Sequence, residues 1–113
     1  MTEKEVENAF FQAGRAWRTS CEVLQGWGRE LAHQAADMMF DVAAEFRYGG
    51  VTSAVELAKD EAEALILAAL ADEAVHSSGL CRMAITRTTA ALVKTWLLEA
   101  EPPRVESQDG EPS

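Results

Sequence analysis

Arg47-Tyr48-Gly49-Gly50-Val51-Thr52-Ser53-Ala54-Val55-Glu56 separates two long stretches of helical spacing, neither of which contains a proline before residue 102. Gly49 and Gly50 can adopt the left-handed conformation that ends a helix, and Arg47 complements the negative end of its dipole. Ser53 and Glu56 have the spacing of a capping box, which starts a new helix. One helix is therefore predicted to end at residue 48 and another to begin at 54, across a turn at 49–53.

Upstream, Val6, Phe10, Ala13, Trp17, Cys21, Leu24, Trp27, Leu31, Ala35, Met38, Val42 and Phe46 recur every three or four residues. This is the stripe of an amphipathic helix. Thr2 and Glu5 form a second capping box, so the first helix is predicted to cover about 3–48. Gly14, Gly26 and Gly28 each weaken it by roughly 1 kcal/mol relative to alanine. A kink is expected near Gly26–Gly28. Downstream, a helix is predicted over 54–99, closed by Pro102-Pro103.

That second helix is apolar on several sides. Leu65, Ile66, Leu67, Leu70 and Val75 point in nearly all directions, and the second half, with Leu80, Met83, Ile85, Leu92, Val93, Trp96, Leu97 and Leu98, is similar. One partner helix cannot cover such a surface. The expected fold is all-α, a long antiparallel two-helix hairpin spanning 1–100 that assembles into a dimeric or tetrameric bundle. In this hairpin, facing residue numbers sum to about 100, so Trp17 meets Met83 and Cys21 lies near Cys81. The Gly26–Gly28 region then falls level with Ser77-Ser78-Gly79, which permits a rival architecture, a compact four-helix bundle broken at both points. Residues 101–113 (EPPRVESQDGEPS) read as a disordered acidic tail.

The chain has 113 residues and a formal net charge of −9, with 48% hydrophobic residues, 20 of them alanine. This size suits one domain. The acidity argues against nucleic-acid binding, which needs a basic face. The N-terminus does not resemble a signal peptide, and the longest apolar run, 64–71, is too short to span a bilayer. A cytoplasmic protein with no transmembrane segment is expected.

Glu30 and His33 on the first helix, and Glu73 and His76 on the second, form Glu-x-x-His pairs of the type used by di-iron bundles. Glu30 and His33 lie opposite the apolar stripe, where a solvated face is the simpler reading. No metal or other cofactor is expected. Cys21 and Cys81 read as core residues or as a disulfide pair. The three tryptophans occupy seam positions. No catalytic triad or phosphate-binding loop is present in the spacing, so a non-enzymatic protein is expected.

Phe11 and Phe40 lie well round from the main stripe. With Leu65, Ile66 and Leu70 they are candidates for an apolar contact, either with sister subunits in a homo-oligomer or with an external target.

The stretch from Trp17 to Ile85 resembles the phasins, which coat intracellular polyhydroxyalkanoate granules. The likeness rests on Leu24-Gln25-Gly26-Trp27-Gly28-Arg29-Glu30-Leu31, the break at Arg47–Ser53, and the helix opening Ala54-Val55-Glu56-Leu57-Ala58-Lys59-Asp60-Glu61. Phasins are usually glutamine-rich around the break, where this chain has lysine and acids. The resemblance implies a non-enzymatic, granule-associated coat protein that adsorbs to a hydrophobic polymer and turns charge outward. A small acidic helical inhibitor or adaptor that binds another protein, for example a phage-encoded one, is the alternative. A di-iron carboxylate bundle is a third reading.

Overall fold

The structure, a computed structural model, describes residues 2–71 and 78–100. All regular structure among the described residues is helical. The elements are α1 (Glu3–Ser20), α2 (Gly26–Tyr48), α3 (Val51–Leu57), a single π-type turn (Ala58–Ala62), α4 (Glu63–Ala71) and α5 (Gly79–Ala100).

The expected single helix over 3–48, kinked near Gly26–Gly28, is corrected to two helices. It ends at Ser20 and restarts at Gly26. The N–H groups of Glu22 and Val23 donate to the carbonyls of Thr19 and Ser20, three residues back, so the last turn tightens and stops. Gln25 is extended and Gly26 has φ +59°, a conformation that side chains with a Cβ disfavour. The break thus falls just before the glycine pair, with Gly26 opening α2. At the other end, α1 begins with the complete Thr2–Glu5 capping box.

The central turn is shorter than the spacing implied. Gly49 and Gly50 both donate their N–H groups to the Glu45 carbonyl, and only Gly50 takes a positive φ, +113°. Helix resumes at Val51. Ser53 does not cap it, since its hydroxyl donates to the Glu45 carboxylate at 2.7 Å.

The chain reverses between α1 and α2. Arg47 bridges to Glu7 at 2.8 Å, and Phe10 stacks on Phe46, so α1 and α2 are antiparallel. Lys59 reaches Glu99 at 3.0 Å. On one continuous helix these two residues would lie about 60 Å apart at 1.5 Å per residue, so the expected single helix over 54–99 is corrected as well. Trp17 on α1 bonds to Thr88 on α5. The four helical segments form a ring in which α1 touches α2 and α5, while α3 and α4 complete the opposite side. This four-helix arrangement corresponds to the rival layout rather than the long hairpin, although Ser77 of its second expected break lies outside the described residues.

The core follows from the sequence pattern. Val6, Phe10, Ala13 and Trp17 of α1 and Leu31, Ala35, Met39, Val42 and Phe46 of α2 are buried on one side of each helix. Across the core, Ala54, Ala58, Ala62 and Ile66 recur in steps of four and are also buried. A 3.6-residue turn would rotate such a row out of the core. The wider π-type turn absorbs the excess and holds the row inward.

Candidate binding surface

Phe11 and Phe40 come together. They lie on different helices, α1 and α2, because the break folds one onto the other. Their ring centroids are 5.6 Å apart and the planes tilt by 57°, a geometry that suits aromatic quadrupoles. The Arg18 guanidinium sits 4.9 Å from the Phe40 ring centre. Gly14 makes room for that ring, since a Cβ there would stand 2.7 Å from Phe40 Cε1. The rings, Ala43, Ala44 and the Glu7–Arg47 pair line an open groove of about 410 Å³. Tyr48 and Glu7 both raise the already high pKa of Arg47 by hydrogen bonding.

The remaining apolar candidates divide. Ile66 is buried within the chain, whereas Leu65 is half-buried against the core and lines an open groove with Met38. The side chain of Leu70 lies outside the described residues. The chain itself, folded into a four-helix cross-section, supplies part of the cover expected from sister subunits, while Leu67, Val93 and Leu97 stay exposed.

Glu30 and His33 are exposed on α2, on its solvated side. Glu73, His76 and the tail at 101–113 lie outside the described residues. Among the described residues no group of three or more histidine, cysteine or acidic side chains is placed to hold a metal.

Cys21 and Cys81 are both buried and form no disulfide. Burial pushes the Cys21 thiol up, Arg29 opposes this, and the neighbouring Cys81 adds to the rise. Trp17 is fully buried, and its indole N–H donates to Thr88 Oγ1 at 2.6 Å. The Trp17 indole thus bonds to Thr88, five residues beyond the Met83 expected to face it. Trp27 and Trp96 are exposed, against the seam positions expected of them.

Exposed apolar residues include Val23, Trp27 and Leu67 and, on α5, Met83, Val93, Trp96 and Leu97. The inner face of α5 (Cys81, Ala84, Ile85, Thr88, Ala91, Leu92, Thr95) is buried. The face directly opposite should be polar in an ordinary surface helix. Instead it carries Val93, 42% exposed, and Leu97, 51% exposed, with Trp96 alongside. The sequence pattern showed α5 as apolar all round but could not say which side the chain itself would cover. No protein-family model matches this chain, and no match to it was found among curated proteins or solved structures.

Proposed function

We propose that this protein is a non-enzymatic interaction module that binds a macromolecular partner through the outer face of α5. One observation carries the reading: α5 is apolar on two opposite sides, and only one is used by the bundle. An exposed apolar row is costly to keep in water, at about 25 cal/mol per Å². A row one helix wide fits a protein partner better than a flat polymer surface. The reading corresponds to a small acidic helical adaptor or inhibitor.

The test is capture from cells that produce the protein, comparing the wild type with Val93→Glu/Leu97→Glu. Stoichiometric capture of a defined partner by the wild type, lost in a variant with unchanged helical content, is the expected outcome. Equal capture by both proteins would refute the assignment to α5.

A second reading keeps the phasin-like coat. It is favoured by the paired Phe11 and Phe40 rings at the surface, which offer a further apolar anchor. It predicts saturable co-sedimentation with polyhydroxybutyrate particles that persists at high salt, because apolar adsorption is not screened. Phe11→Ser/Phe40→Ser would reduce that binding.

A further inference from the structure

We infer that Cys21 and Cys81 form a redox-dependent lock, an intramolecular disulfide that ties the end of α1 to the start of α5. The inference stands apart from the interaction reading above. It rests on where the fold brings two thiols that are far apart in sequence.

Helix direction sets their meeting. Trp17 on α1 bonds to Thr88 on α5 at 2.6 Å. Toward the start of α1, Glu5, Asn8 and Gln12 share a groove with Ala90 and Lys94, which lie toward the end of α5. The two helices are therefore antiparallel, and residues beyond Trp17 run alongside residues before Thr88. Cys21 stands one turn beyond Trp17, about 6 Å along α1, and Cys81 two turns before Thr88, about 10 Å along α5. The thiols thus lie at the same end of one seam, within about a turn of each other in height. Both are turned inward, at 4% and 0% exposure. Their nearness is also felt electrostatically, since charge on Cys81 opposes charge on Cys21.

The surroundings suit a covalent link. Ala16 and Ser20 of α1 and Ala84 of α5 are buried at this end, and short side chains let helix axes approach closely. A disulfide needs Cα atoms about 4.4–6.8 Å apart, which calls for such packing. Adjustment is available on the Cys21 side. Cys21 follows the last residue of α1, and the next two residues, Glu22 and Val23, are held by bonds to carbonyls three residues back. The thiol meets the Arg29 carbonyl at 4.0 Å, a weak hold for an S–H donor. A small shift of this turn moves the sulfur while the ladders of α1 and α5 stay intact.

The oxidant is a peroxide. The Cys21 thiolate attacks one oxygen of hydrogen peroxide, the O–O bond breaks and hydroxide leaves, which gives a sulfenic acid. The Cys81 thiolate then attacks the Cys21 sulfur and expels a second hydroxide as the S–S bond forms. The two thiol protons and two hydroxides make two waters, and the two electrons lost by the sulfurs are gained by the peroxide. Burial holds the Cys21 thiol protonated against the pull of Arg29 and Arg18, so the first step is slow at neutral pH and the lock answers sustained oxidation. Once formed, it closes a loop that contains α2, α3 and α4 and restrains the unfolded chain.

The experiment treats the reduced full chain with hydrogen peroxide at mildly alkaline pH and follows it by intact mass, peptide mapping and thermal unfolding. The expected product is a monomer that has lost two hydrogens, with the Cys21 and Cys81 peptides joined. Its melting temperature should rise by about 10 °C, and dithiothreitol should reverse both changes. Cys81→Ser should stop at an oxidised Cys21 with no such rise. Sulfenic or sulfinic acid on the wild type without a link would overturn the inference. So would links formed only between molecules, or a link that forms only after urea has unfolded the chain. A linked protein that melts no higher than the reduced one would refute the lock.

Discussion

At the scale of single residues, the buried hydroxyls of α5 differ in what depends on them. Thr88 accepts from the Trp17 indole and donates to the Ala84 carbonyl, whereas Thr95 only donates to Ala91 within its own helix. Thr88→Val strands a buried N–H and should cost about 1–3 kcal/mol. Thr95→Val leaves no buried donor stranded and should change stability by less than about 0.5 kcal/mol. Urea denaturation of the two variants checks the contrast. Gly14 offers a second test, because two effects oppose there. Alanine would gain roughly 1 kcal/mol of helix propensity but would push into the Phe40 ring. Overpacking of this kind costs about 1–3 kcal/mol, so Gly14→Ala should be neutral to destabilising alone. In a Phe40→Ala background the same change should stabilise by about 1 kcal/mol. A double-mutant cycle reads the change of sign.

At the scale of elements, the turns decide how four helical segments arise from a two-helix pattern. The break at residues 21–25 replaces about one and a half turns of helix, and its gain is that α1 folds back along α2. Such a reversal was visible in the sequence as Gly26 and Gly28, but glycine inside a helix reports only a lower cost of breaking. Whether the helix breaks depends on what the two halves bury after folding back. Here they bury Phe10 against Phe46 and cover Phe40 with Arg18. The second turn depends on Gly50, whose φ of +113° is a region open essentially to glycine alone. Gly50→Ala should cost about 1–3 kcal/mol of backbone strain, although the space for a methyl group is free. Gly50→Ala should therefore lower the melting temperature with no change in the native fold, as thermal unfolding and a spectrum of the native state would show.

At the scale of the whole molecule, the net charge of −9 acts against a compact fold through self-repulsion. Raising ionic strength from about 0.01 M to 0.15 M shortens the screening length from about 30 Å to 8 Å. The melting temperature should rise over that interval. A fall would mean that ion pairs such as Arg47–Glu7 and Lys59–Glu99 outweigh the general repulsion. The ring of helices also explains the oligomer expectation. Apolar surface on every side of the segment 62–98 suggested sister subunits, yet Ile66, Ile85 and Leu92 are buried within the chain itself.

The sequence by itself determined that the chain is helical, where α1 begins, and which side of α1 and α2 turns inward. Those properties are local: a capping box closes within four residues, and a stripe repeats with the turn of its own helix. The meeting of Phe11 with Phe40, the Trp17–Thr88 bond and the exposure of Trp27 and Trp96 were settled only by the tertiary structure. The surplus on α5 was the same kind of case. An all-round apolar helix states how much surface needs cover but not which neighbour supplies it. Only the folded arrangement decides that Cys81, Thr88 and Thr95 go inward while Val93 and Leu97 stay in water. The physical reason is that helical periodicity is set by backbone geometry over a few residues. Burial is shared among segments far apart in sequence and exists only once they are assembled.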